Sequence, residues 1–244
     1  MWYHILNCFD ICKKRIGMMN KMIKLVIFDL DGTLINSVYD LADAVNSSLI
    51  ELGYPVHEVD KYYHFVGNGT VKLSERALPE EHRSNQEVMR LHALFAEKYE
   101  KCCLNKTRPY DGINEVVSEL KNDLDIKCAV ASNKTDSFAK HIVNNLFQDN
   151  KFDAVIGKRD GVAAKPDPQI IYDIINIFNF DKSEVIFIGD SDVDVITAHN
   201  GNIPCIGCEW GFRGKAELEK AGADYLAENP YDILKIIHRL NIQK

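Results

Sequence analysis

Short aliphatic and β-branched runs alternate with helical patterns along most of this 244-residue chain, and that rhythm admits few architectures. Strands are expected at Lys24–Leu30, Ile126–Ala131, Asp153–Ile156, Val185–Gly189 and Ile203–Gly207, with a weaker one at Ala223–Leu226. Apolar residues at helical spacing fill the gaps at Ile113–Lys121, Ser137–Leu146, Pro168–Phe178, Asp192–Asn200, Lys215–Ala221 and Tyr231–Leu240. Strands and helices in this order predict an α/β fold, a parallel sheet core flanked by helices. The rhythm breaks once, where more than 90 residues between Leu30 and Ile126 hold no good strand. Within that gap Leu41, Val45, Leu49 and Leu52 share one helical face, and Val88, Leu91, Phe95, Tyr99 and Cys102 share another. Residues 38–107 therefore read as an inserted α-helical subdomain. The core is then made of residues 22–37 and 108–244, rejoined at Thr107-Arg108-Pro109-Tyr110.

The ends of the expected strands carry the chemistry. Leu25-Val26-Ile27-Phe28 runs straight into Asp29-Leu30-Asp31-Gly32-Thr33, which sets two carboxylates at i and i+2 on one side of the chain. Val185-Ile186-Phe187-Ile188 runs into Gly189-Asp190-Ser191-Asp192-Val193-Asp194. In an open parallel sheet the carboxyl ends of the strands form the ligand crevice. Acids converging there repel one another unless a cation joins them; an all-oxygen donor set favours a hard ion, with Mg²⁺ the default. Cys128-Ala129-Val130-Ala131 leads to Ser132-Asn133-Lys134, a hydroxyl and backbone N–H groups suited to phosphate oxygens. Ala164-Lys165-Pro166-Asp167-Pro168 adds a lysine just before a helix that Pro168 can open. Each segment also has a structural reading, Asp-Gly as a turn, Ser132 as a helix cap and Lys165 as a solvated charge.

Taken together, Asp29-x-Asp31-Gly32-Thr33, Ser132, Lys165 and Gly189-Asp190-x-x-x-Asp194 resemble the haloacid dehalogenase superfamily over about residues 22–240. The resemblance implies a Rossmann-like core in which Asp29 is the nucleophile and Asp31 the general acid/base. It implies that Ser132 and Lys165, with Asn133 beside them, hold the phosphoryl group. It further implies that Asp29, the backbone carbonyl of Asp31 and Asp190 bind Mg²⁺, with Asp194 supporting the metal. An acid at position 31 points to phosphoryl transfer and away from dehalogenation. Asp192 receives no role.

Within the insertion, Phe65-Val66-Gly67-Asn68-Gly69-Thr70 leads into a helix ending in Arg76-Ala77-Leu78. This segment resembles the cap loop of the phosphoglycolate phosphatase branch, and Glu209-Trp210-Gly211-Phe212 resembles that branch's loop after the fifth strand. By that resemblance the insertion is a mobile helical cap, and Gly67, Asn68, Gly69, Lys72 and Arg76 meet the substrate. The expected activity is hydrolysis of a small phosphate monoester through an aspartyl-phosphate, with 2-phosphoglycolate favoured. Alternatives are a pyrophosphatase or other small-phosphate phosphatase, a β-phosphoglucomutase-like phosphotransferase, and a regulatory or binding protein on a hydrolase scaffold.

Composition bounds the rest. With 46% hydrophobic and 27% charged residues the chain can bury its own core. A net charge of −7 and no basic stripe argue against nucleic acid. No apolar run approaches the roughly 18 residues of a membrane span, so no membrane partner is expected. Seven scattered cysteines, an odd number, predict a reducing cytoplasm. Cys205 and Cys208 lack the companions of a zinc site and read as small core residues. Residues 1–21 place Trp2, Ile5, Leu6, Phe9, Cys12 and Ile16 at near-helical spacing, but charge follows the apolar part, unlike a secretory signal. That segment reads as a loosely held N-terminal extension. Monomer and homodimer are equally compatible with the sequence.

Overall fold

The computed structural model describes residues 22–242, so the reading of residues 1–21 lies outside the described residues. The chain runs through strand β1 (Leu25–Phe28) and a short β2 (Ile35–Asn36) into helices α1 (Val38–Leu52), α2 (Val59–Phe65), α3 (Thr70–Ala77) and α4 (Asn85–Cys102). It returns by β3 (Arg108–Pro109), α5 (Ile113–Ser118), β4 (Lys127–Thr135), α6 (Asp136–Leu146) and β5 (Ala154–Lys158). It closes with α7 (Gln169–Phe178), β6 (Val185–Gly189), α8 (Asp192–Gly201), β7 (Cys205–Cys208), α9 (Lys215–Ala221), β8 (Tyr225–Ala227) and α10 (Tyr231–Ile242).

Six strands form one sheet in the order β5-β4-β1-β6-β7-β8, and every pairing is parallel. β1 is central, with Leu25 opposite Lys127 of β4 and Val185 of β6. All four of its side chains are buried, as a strand covered on both faces requires. Val26 and Phe28 face a cluster that includes Val116 and Val117 of α5, Ile142 of α6 and Ile237 of α10. Leu25 and Ile27 face the other cluster, with Ile170, Ile171 and Ile174 of α7, Val195 of α8 and Leu218 of α9. The expected parallel α/β core is therefore present, and the chain leaves β1 toward β4 on one side and β6 on the other. That reversal of strand order opens a crevice at the carboxyl ends of β1, β4 and β6.

Element bounds differ from expectation where local bonding intervenes. β1 stops at Phe28 because the Leu30 carbonyl accepts from the N–H groups of Thr33, Leu34 and Ile35, which curls the chain into a turn. β4 continues past Ala131 through Ser132, Asn133 and Lys134, with a register shift against β5, so these residues lie on a strand and not at a helix start.

Helices α1–α4 lie between β2 and β3, which pair antiparallel with Ile35 opposite Pro109 and Asn36 opposite Arg108. The two expected faces meet: Leu41, Val45 and Leu49 of α1 and Leu91, Phe95 and Tyr99 of α4 are buried in the same cluster. Asp40, fully buried, accepts from the Lys106 N–H at 3.0 Å, the Thr107 N–H at 2.8 Å and the Thr107 hydroxyl at 2.7 Å. It thereby ties the start of α1 to the returning chain. Among the described residues no helix is long and apolar enough to cross a membrane.

Candidate active site

Asp29 and Asp31 leave the end of β1 and meet different lysines. Lys165 Nζ lies 2.8 Å from Asp29 Oδ1 and 2.7 Å from Asp194 Oδ1, with its side chain 1% exposed. Lys134 Nζ, on β4, lies 3.0 Å and 2.9 Å from the two Asp31 oxygens. The Ser37 hydroxyl also donates to Asp31 Oδ1. Burial alone would lower both lysines; the Asp194 and Asp29 carboxylates outweigh it at Lys165, and Asp31 leads the same effect at Lys134, so both stay above their ordinary values.

At the acids burial prevails over the partner charge. Burial pushes Asp29 from an ordinary 3.8 up to about 7, against the pull of Lys165. Asp190 is also raised well above its ordinary value by burial, then by the charges of Asp194 and Asp29. Among the described residues Asp190 is held by neutral donors, the Phe212 N–H at 2.7 Å and the Thr33 hydroxyl at 3.4 Å. Its surroundings have no room to spare: a Cβ on Gly32, which has φ +91°, would lie 2.3 Å from Asp190 Oδ2, and a Cβ on Gly211 would lie 2.2 Å from Asp190 Cβ. Asp194 uses both oxygens, Oδ1 on Lys165 and Oδ2 on the Ser191 N–H and hydroxyl at 3.1 and 2.6 Å.

Oxygens of Asp29, Asp190 and Asp194 all lie within 4.8 Å of one another. Three buried carboxylates with one ammonium between two of them leave negative charge uncompensated, and the donor set is all oxygen. A hard divalent cation fits both the charge and the donors.

Asn133 and Ser132 come to the same crevice but are used differently. The Asn133 side chain grips the Lys165 backbone, donating to its carbonyl at 3.0 Å and accepting from its N–H at 2.8 Å, and also donates to the Gly67 carbonyl at 3.2 Å. Its side chain thus positions Lys165, and only its backbone remains for a phosphate. The buried Ser132 hydroxyl accepts from the Lys134 N–H at 3.2 Å.

A cleft opens over these groups, lined by Asp29, Asp31, Ser132, Asn133 and Lys134 below and by Leu41, Val66, Gly67, Gly69, Thr70 and Leu73 above. Of the expected specificity residues, Gly67 and Gly69 line it and the other three do not. Asn68 accepts from Arg76 Nη2 at 2.7 Å, and Arg76 also donates to the Phe65 carbonyl at 2.9 Å. Lys72 is exposed and paired with Glu75 one helical turn on. Arg76 and Asn68 therefore shape the loop from behind, and Lys72 faces solvent. Sequence reasoning missed Lys134, Ser37 and Arg213. Arg213 donates from the loop after β7 to the carbonyls of Tyr63 and Val66 at 2.9 and 2.8 Å, tying that loop to the end of α2. A signal for Lys134 was present: on an extended β4 it stands two residues from Ser132 and on the same side.

The model of the haloacid dehalogenase-like hydrolase family matches residues 26–208. Phosphoglycolate phosphatase of Mannheimia succiniciproducens is 30% identical over 225 residues, 90% of this chain and 100% of that protein. The one from Psychrobacter arcticus is 32% identical over 195 residues, 78% of this chain and 84% of its own length. A crystal structure of a candidate phosphoglycolate phosphatase from Lactobacillus delbrueckii subsp. bulgaricus superposes with a TM-score of 0.83 at 28% identity, covering 89% of this chain and 99% of that one. Sheet, site and relatives agree: this chain belongs to the haloacid dehalogenase-like hydrolase family. It is an enzyme of that family's phosphatase type.

Proposed function

We propose that this enzyme is a cytoplasmic, Mg²⁺-dependent phosphatase that hydrolyses 2-phosphoglycolate through a phosphoryl group carried on Asp29. The observation that carries the reading is the separation of duties at the end of β1. Two carboxylates two residues apart meet two different buried lysines, so one is free to act as nucleophile while the other handles protons.

Asp29 attacks phosphorus and forms an aspartyl-phosphate, replacing one hard displacement by two easier ones. Lys165 and the Ser132 hydroxyl receive the phosphoryl oxygens and lower the repulsion between the two anions. Asp31 gives a proton to the leaving oxygen and then takes one from the attacking water. Asp29, Asp190 and the Asp31 backbone carbonyl would hold Mg²⁺, with Asp194 fixing the geometry through Lys165 and Ser191. Bound there, the ion supplies positive charge to the transferring phosphoryl oxygens. Residues 38–107 act as a cap whose Gly67–Gly69 loop covers the leaving group. The cleft has Leu41, Val66 and Leu73 in its wall, few partners for the hydroxyl groups of a sugar, which favours a short alcohol. The names of the relatives support the same substrate.

Phosphate release from a panel of esters tests the proposal. In Mg²⁺, kcat/KM for 2-phosphoglycolate should exceed that for pyrophosphate and hexose phosphates by at least roughly tenfold, about 1.4 kcal/mol of transition-state discrimination. EDTA should abolish turnover. A tenfold preference for pyrophosphate or a hexose phosphate overturns the substrate, and full activity in EDTA overturns the metal.

A further inference from the structure

Lys134 is a buried ammonium that the mechanism above does not use. Its side chain is 2% exposed, its Nζ lies 4.9 Å from the centre of the Tyr99 ring, and it lines the cleft beside Asp31. We propose that Lys134 reads the acid group of the substrate, its ammonium binding a carboxylate on the leaving alcohol in place of part of its pairing with Asp31. The inference rests on the phosphatase reading, because it takes Asp31 as the group beside the ester oxygen.

Three observations support it. First, if Asp31 protonates the leaving oxygen, the alcohol lies next to Asp31, and Lys134 is the cation in contact with that carboxylate. Second, the other cations near the loop are committed elsewhere: Lys72 pairs with Glu75 in solvent, and Arg76 and Arg213 bind carbonyls around the end of α2. Third, the buried Tyr99 beside Lys134 is neutral and does not line the cleft, so it does not compete with a ligand for the charge of the ammonium. Asp31 would not be abandoned when Lys134 turns to a ligand, since the Ser37 hydroxyl still donates to it. The apolar part of the wall, Leu41, Val66 and Leu73, offers a neutral alcohol no charge in exchange for the lost ion pair. A desolvated ammonium therefore favours an acidic leaving group strongly over a neutral one of the same size.

The test compares 2-phosphoglycolate with ethyl phosphate, which carries a methyl group in place of the carboxylate, in the full chain and in Lys134→Met and Lys134→Arg, with melting curves confirming that each variant is folded. The ratio of the two kcat/KM values is the readout, since loss of a structural partner of Asp31 would depress both substrates alike. Lys134→Met should lower the ratio by roughly thirtyfold or more, the low end for truncating one partner of a buried charge pair. Lys134→Arg, which keeps the charge, should retain most of it. Calorimetric titration of Asp29→Asn with the two esters, with and without Lys134→Met, should show the same difference in affinity without turnover. An unchanged ratio in a folded Lys134→Met overturns the inference and leaves the phosphatase reading standing. A ratio near one in the native enzyme instead removes the substrate reading and the inference with it. Loss confined to pyrophosphate would show that the ammonium reads a second phosphate, contradicting the carboxylate assignment.

Discussion

Asp190 sits against two glycines, and a single methyl group on either would collide with it. On Gly211 the added Cβ would also come within 2.5 Å of the Gly32 carbonyl, so the backbone must shift. Gly211→Ala should therefore lower stability by about 1–3 kcal/mol, the usual cost of forcing a methyl group into a filled space. Because the displaced group is a proposed metal ligand, the Mg²⁺ concentration for half-maximal activity should rise as well. Thermal melting and a Mg²⁺ titration check both, and no change in either would mean that the site tolerates displacement of Asp190. At this scale the sequence was informative wherever an apolar strand ended in a polar side chain. Asp29, Asp31, Ser132 and Asp190 come together on that logic, joined by Lys165 from the loop before α7 and Asp194 from the first turn of α8. It was uninformative about partners. Lys72 and Arg76 have the charge to meet an anion, but which way a helical side chain turns depends on neighbours such as Glu75 and the carbonyls of α2.

At the scale of elements, the connection between the loop after β7 and the end of α2 matters most for the cleft. The Arg213 guanidinium bonds carbonyls that the helix leaves open, while the Phe212 N–H just before it donates to Asp190. One loop thus touches both the acid cluster and the cover of the cleft. Arg213→Ala should loosen the Gly67–Gly69 loop and raise KM for 2-phosphoglycolate by roughly tenfold or more, since one hydrogen bond to a charged group contributes about 1.5–3 kcal/mol. The kcat value should change less, because Arg213 is absent from the residues that line the cleft. Steady-state kinetics separate the two, and a fall in kcat at constant KM would contradict a positioning role. The helical stretch between β2 and β3 was legible because α1 and α4 each carry an apolar stripe several turns long. The β2–β3 ribbon at its base was not, since two residues per strand are too few to show a period of two. The extension of β4 through Lys134 was hidden for a related reason: its last residues are polar, and their strand geometry comes from β5 alongside.

At the scale of the whole molecule, an excess of buried negative charge couples stability to protons and metal. For the metal-free protein Asp29 titrates near 7 in the folded state against 3.8 ordinarily, so between these values the folded chain binds more protons than the unfolded one. The contribution of this group is therefore complete below its unfolded pKa and is lost as pH rises through about 7; Asp190 acts in the same direction. The Tm in EDTA should accordingly fall from about pH 5 to about pH 8, and Mg²⁺ should raise Tm more at the higher pH, where no protons compete for the carboxylates. Scanning calorimetry at both pH values decides this, and an equal Mg²⁺ shift at each would mean that the acids are already ionised without metal. The central claim is that the phosphoryl group passes through Asp29, and acid-quenched turnover tests it most directly. Enzyme mixed with 2-phosphoglycolate and Mg²⁺, quenched within one turnover and digested, should carry a phosphoryl group on the peptide containing Asp29, absent from the Asp29→Asn protein. A quenched enzyme that hydrolyses the substrate yet carries the label on another residue would contradict the account.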